Sequence, residues 1–161
     1  MEDKIKIKIT KLFDDGQLEE LQKLLLPYVA EGDPFALHIS ACFSLGDSNE
    51  TEEEYSKRYV QQMTKASEGG IAQASYQMGV NHLYGDDVKQ DYKLASMYFE
   101  RAIEQGHSYT KFTYGFSIYY GTDENPKDKG RGIALMREAA NEGIDKAIKE
   151  LELIDASKNN V

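Results

Sequence analysis

Apolar residues recur at helical spacing along most of the chain. Residues 17–30, QLEELQKLLLPYVA, carry leucines and a valine three and four positions apart, which predicts a helix leading into Gly32. Residues 144–155, IDKAIKELELID, alternate an apolar and a charged face and predict a last helix that shields the preceding unit from water. Residues 4–13 admit a helix, while the alternation of Ile5, Ile7 and Ile9 also fits a strand. A helix is expected there, because a lone strand would have no sheet to join.

The middle of the chain repeats itself. Residues 74–85 read ASYQMGVNHLYG and residues 91–106 read DYKLASMYFERAIEQG; the next unit reads TKFTYGFSIYYG over 110–121 and DKGRGIALMREAANEG over 128–143. Gly79 and Gly115 stand 36 positions apart, as do Gly85 and Gly121. Beyond the loop the offset becomes 37, pairing Asp91 with Asp128, Ala102 with Ala139 and Gly106 with Gly143, so one extra residue is expected near Pro126. A fainter unit runs from residue 32 to 70, with Ser40, Gly46 and Ala66 in the corresponding places.

A fixed period of small residues is what stacked helical hairpins need, because glycine or alanine at a crossing lets two backbones approach. Gly70, Gly106 and Gly143 each follow an apolar-periodic segment, where a left-handed helix cap is expected. Thr51 with Glu54 has the spacing of a capping box.

This frame resembles the Sel-one-like repeat (SLR) family, a relative of the tetratricopeptide repeat. Ala74, Gly79 and Gly85, followed by Asp91, Ala95, Tyr98, Ala102 and Gly106, match the family pattern. Gly115, Gly121, Asp128, Ala139, Ala140 and Gly143 repeat it, with departures at Thr110, Ile118 and Gly132. The resemblance is clear over residues 66–143 and weaker back to Gly32. It implies an all-α, right-handed α-solenoid of about three to four helix-turn-helix repeats with a C-terminal capping helix. The expected division of this single domain is a degenerate leading unit over 1–32, repeats over 33–70, 71–106 and 107–143, and a capping helix and tail over 144–161.

In such families the first helix of each unit lines a concave surface where partners bind. On the second unit Gln73, Gln77, Asn81 and Tyr84 fall on one helical face, set against apolar Met78 and Val80. On the third, Tyr109, Thr113, Ser117 and Tyr120 do the same, set against Tyr114, Phe116 and Ile118. His38, Cys42 and Leu45 occupy the corresponding places in the first. Amides, hydroxyls and tyrosine tips make contacts without the desolvation cost of charges, so these residues are the candidate partner-binding set. A second candidate is an acidic edge built from Asp47, Glu50, Glu52, Glu53 and Glu54, then Asp86, Asp87 and Asp91, then Asp123, Glu124 and Asp128. Helix-start electrostatics account for most of these carboxylates without a partner.

Composition narrows the function. The chain has 161 residues and a net charge of -9, of which residues 33–106 carry -6, a balance that repels nucleic acid and suits a basic protein partner. No apolar run is long enough for a membrane span, and MEDKIKIKITKLF lacks the continuous apolar core of a secretory signal. One cysteine, Cys42, rules out an internal disulfide and fits a reducing compartment, so a cytoplasmic location is expected. His38 and Cys42 lie at i and i+4, yet zinc needs more ligands than the sequence groups together. His82 stands where the family has tyrosine and is expected in the core, and His107 is expected to cap a helix. Neither a phosphate-cradling loop nor an activated acid pair is visible, so no enzyme activity, cofactor or metal is expected. A non-enzymatic scaffold binding another protein is the leading expectation. The resemblance also implies an alternative, a cytoplasmic immunity protein that neutralises a bacterial toxin; a small-ligand binder ranks third.

Overall fold

The computed structural model describes residues 1–44, 50–121 and 127–158. Among them the chain forms nine helices and no strand: α1 (Asp3–Asp14), α2 (Leu18–Ala30), α3 (Pro34–Ala41), α4 (Glu52–Glu68), α5 (Ala72–Tyr84), α6 (Tyr92–Glu104), α7 (Ser108–Tyr120), α8 (Lys129–Asn141) and α9 (Asp145–Lys158). Residues 4–13 are therefore helical, and the last helix covers the segment where a cap was expected. Each helix packs chiefly on its neighbours in sequence, with the tightest pairs α5–α6 and α7–α8. This is the arrangement of an all-α helical repeat solenoid. Leu45, Gly46, Asp47, Asp123, Glu124 and Pro126 lie outside the described residues.

Local chemistry sets the helix ends. Asp33, Asp91 and Asp128 each occupy an N-cap and accept a hydrogen bond from the amide two or three residues on. Thr51 and Glu54 form a reciprocal capping box: the Thr51 hydroxyl accepts from the Glu54 amide at 3.2 Å, and the Glu54 carboxylate accepts from the Thr51 amide at 2.9 Å. At the other ends, Gly70, Gly106 and Gly143 adopt φ of 93°, 90° and 85°. The amide after each of them then reaches back to the carbonyl of Ala66, Ala102 or Ala139, all three fully buried. A Cβ at this turn would be strained, which explains why the sequence repeats glycine there.

The core is a chain of overlapping clusters. Ile9, Leu12, Leu21, Leu25, Ala36 and Ile39 join α1 to α3; Leu37, Tyr59, Met63, Ala74, Met78 and Tyr98 continue it through α6; Leu83, Phe99, Tyr114, Ile118 and Leu135 carry it to α8. Two crossings depend on missing side chains. A Cβ on Gly79 would sit 2.5 Å from the ring of Phe99, which is itself 1% exposed. A Cβ on Gly115 would lie 2.8 Å from the Gly132 carbonyl, and one on Gly132 would lie 2.7 Å from the Gly115 carbonyl. Gly132, which breaks the family pattern, is thus the other half of the α7–α8 crossing.

A buried polar knot fastens α4, α5 and α6. Arg101 donates to the Ser67 hydroxyl at 3.1 Å, and Ser67 and Ser75 hydroxyls meet at 2.7 Å. Ser75 donates to Gln105 Oε1 at 2.6 Å, and Gln105 Nε2 returns to the Ser67 carbonyl at 2.8 Å. Gln105→Ala strips one acceptor and one donor from fully buried partners. It is expected to cost about 1–3 kcal/mol, the usual penalty for an unsatisfied buried polar group, measured by denaturant unfolding.

Candidate protein-binding groove

α5 and α7 hold equivalent places in consecutive units, and the faces they bury decide what they leave open. α7 buries Thr110, Tyr114, Gly115 and Ile118, which turns Tyr109, Phe112, Phe116 and Tyr120 outward along one stripe. Their rings follow one another at centroid separations of 5.7, 5.9 and 4.7 Å. Across from this ladder, α5 presents Tyr76, Val80 and Tyr84; Tyr76 meets Tyr109 edge-on at 6.0 Å. Together with Leu83, Gln90, Tyr92, Thr113, Ser117 and Gly121 they enclose an open groove of about 590 Å³. Tyr84, Tyr120 and Phe116 remain 66%, 45% and 39% exposed, a large aromatic area for a folded chain to leave in water.

α9 supplies the one charged residue that lines the groove among the described residues. Lys146 Nζ donates to the Tyr109 hydroxyl at 2.9 Å and stands 5.4 Å from the centre of that ring. Further along, the Tyr120 hydroxyl donates to Glu150, and this bond pushes its pKa up to about 12. Its one proton is thus given to Glu150, which leaves the phenol oxygen as an acceptor toward the groove.

The structure distributes the expected site residues unevenly. Tyr84, Tyr109, Thr113, Ser117 and Tyr120 line this groove. Gln73 is exposed at the start of α5 and engages His107 Nε2 at 2.9 Å. Gln77 donates to Asn81 Oδ1 at 3.0 Å. Asn81 is buried, its Nδ2 donating to the Tyr59 hydroxyl of α4 at 3.1 Å. The α5 face in the groove is thus Tyr76–Val80–Tyr84, one residue around from the expected row, because Asn81 satisfies a neighbour in the core. Val80 and Phe116, expected on the packing side, line the groove instead. Phe112 and Tyr76 were not foreseen. Their signal was an aromatic at helical spacing from Tyr109 and from Val80.

His38 and Cys42 lie on α3 and at its end, away from the groove, with the Cys42 thiol donating to the His38 carbonyl at 3.2 Å. Burial holds the His38 imidazole below its ordinary pKa and pushes the Cys42 thiol up, so both are neutral at pH 7. His82 is buried against Tyr98, ring centroids 5.5 Å apart. His107 takes the N-cap position of α7 and bridges Thr110 and Gln73 through its two ring nitrogens. No three histidine, cysteine or acidic side chains converge among the described residues.

Several carboxylates of the expected acidic edge are committed locally. Glu50 pairs with Arg58 at 2.6 Å, Glu54 and Asp91 cap helices, and Asp87 accepts from Ser56 at 2.6 Å. A second cavity of about 350 Å³, between α2, α3 and α4, is lined by this Arg58. Its guanidinium is already spent on Glu50, Gln62 and the carbonyls of Ser40 and Phe43, so the cavity offers less to a partner than the aromatic groove.

The comparisons with known proteins agree with this architecture. A family model described as Sel1 repeat matches residues 72–107 and 114–144, the segments that hold α5–α6 and most of α7–α8. A Sel1 repeat protein from Oxalobacter formigenes superposes with a TM-score of 0.68 at 24% identity, covering 82% of this chain and 98% of that one. A protective antigen of uropathogenic Escherichia coli strains, displaying an SLR fold, superposes with a TM-score of 0.66 at 23% identity. That alignment covers 78% of this chain and 26% of the antigen. A search of the curated proteins finds no match. Residues 72–107 and 114–144 thus match the Sel1 repeat, and the chain shares the fold of these Sel1-like repeat structures. The family suggests a protein-interaction scaffold with protein partners. No helix among the described residues is long and apolar enough to cross a membrane.

Proposed function

We propose that the chain is a non-enzymatic interaction scaffold that receives a segment of a partner protein in the groove between α5 and α7. One observation carries this reading: the ladder of half-buried Tyr109 and Phe112 and exposed Phe116 and Tyr120, facing exposed Tyr84 across a groove with a single charged lining residue among those described. Stacked repeats typically present such surfaces, and rings with a polar tip supply large contact areas with a hydrogen-bonding end. The lone thiol suits a reducing setting, and we take the cytoplasm as its site of action.

Affinity purification with the intact protein and with Tyr84→Ala/Tyr120→Ala tests the groove. The pair is expected to fold normally and to lose the specific partner; retention of the same partner at the same level would contradict the reading. A second reading, an inhibitor of a basic toxin, draws on the net charge of -9. It requires a cognate toxin whose co-expression with this chain restores growth.

A further inference from the structure

We infer that the segment held in the groove is apolar or aromatic along its length and carries a carboxylate at the Lys146 end. The inference rests on the groove reading and adds the chemistry of the occupant. Although the chain as a whole is strongly acidic, the lining of this groove is not. Among the described residues, Lys146 is the one charged residue that lines it, and it is exposed. Among the described residues, Lys146 makes no ion pair; its partners are the hydroxyl and the ring face of Tyr109. Lys111 is held by both Glu138 and Glu142, and Lys8 by Glu20, but ion pairing is not the rule for lysines of this chain; what sets Lys146 apart is its place on the aromatic groove. An ammonium fixed beside an aromatic groove, with no carboxylate partner among the described residues, is ready to pair with one.

The opposite end has the other sign. Glu150 sits at the tip of Tyr120, and exposed Asp86 follows Tyr84 past Gly85. A carboxylate placed there would be repelled. The groove therefore has a polarity, accepting an anion near the start of α7 and disfavouring one near its end. From Tyr109 to Tyr120 the stripe runs roughly 16 Å, the rise of three turns of helix, which an extended segment of about five residues spans. The rings supply contact area and the lysine supplies register.

An array of random peptides about seven residues long, each printed with an amidated and with a free C-terminus, tests this directly. The full chain should select peptides rich in Leu, Phe, Tyr and Trp with either Asp or Glu, or a free C-terminal carboxylate, at one end. Lys146→Met should keep the apolar preference while binding the selected acidic peptides about tenfold more weakly, the loss of one charge-assisted contact. Lys146→Glu should reverse the preference to Lys or Arg at that position. Far-ultraviolet circular dichroism of both variants should match the parent, since Lys146 is exposed. Peptides that need Phe116 yet show no carboxylate preference, or whose preference survives Lys146→Glu, would overturn the inference and leave the groove standing as a binding site. Peptides unaffected by Phe116→Ala would remove the groove reading itself, and the inference with it.

Discussion

Gly115→Leu is expected to leave the carboxyl-terminal half without a cooperative unfolding transition, and Gly115→Ala to lose about 3 kcal/mol of stability. The added Cβ would sit 2.8 Å from the Gly132 carbonyl, 3.0 Å from Leu135 Cβ and 3.1 Å from Met136 Cγ. A side chain can change rotamer to relieve such contact; a carbonyl at a helix crossing moves only if the helix moves. Overpacking a core typically costs about 1–3 kcal/mol, and the backbone contact here puts alanine at the top of that range. Leucine adds volume where Leu135 and Met136 already fill the space, and folded domains hold only about 5–15 kcal/mol in total. Gly130→Ala is the internal control. It lies in the same helix as Gly132, but its added Cβ meets nothing nearer than Asp128 Oδ1 at 3.7 Å. That change should be neutral or stabilise by up to about 1 kcal/mol, the helix-propensity gain. Equal losses at 115 and 130 in denaturant melts would contradict the assigned crossing.

Phe116→Ala should weaken partner binding by at least about 30-fold while leaving the fold intact. Phe116 is the middle rung of the ladder, between Phe112 at 5.9 Å and Tyr120 at 4.7 Å, and it is 39% exposed. A central aromatic at an interface typically contributes about 2 kcal/mol or more, which converts to that loss in affinity. Its own packing is partial, so the folding cost should stay near about 1 kcal/mol. Isothermal titration with a groove-selected peptide, paired with a thermal melt, separates the two quantities. An unchanged affinity with a normal melt would show that the ladder is not the contact surface.

The period of the stack was legible because close helix crossings and left-handed turns admit few residue types. Gly79, Gly115 and the turn glycines at 70, 106 and 143 recur for that reason, and the structure uses each as its position required. Gly132 looked like a departure, since a repeat pattern records one chain position at a time and cannot show that two glycines face each other across a crossing. The α7 side of the groove was legible in Tyr109, Thr113, Ser117 and Tyr120. The α5 side was less so. A spacing of four identifies a row on a helix but not how the helix is turned, and neighbouring rows differ by about 100°. The turn of α5 is fixed by the Tyr59 hydroxyl on α4, which takes Asn81 into the core. Phe116 was assigned to the packing side and Phe112 escaped notice because apolar residues default to the core in any pattern reading. Only the assembled stack shows that both line the groove, Phe116 exposed and Phe112 half-buried.

The most direct measurement is an amide-resolved NMR titration of the full chain with the tightest peptide from the array. Perturbed resonances are expected to gather at Tyr76, Val80 and Tyr84, along 109–120, and at Lys146. Shifts confined to α1–α4 or to the outer sides of α6 and α8, with α7 unmoved, would contradict the account.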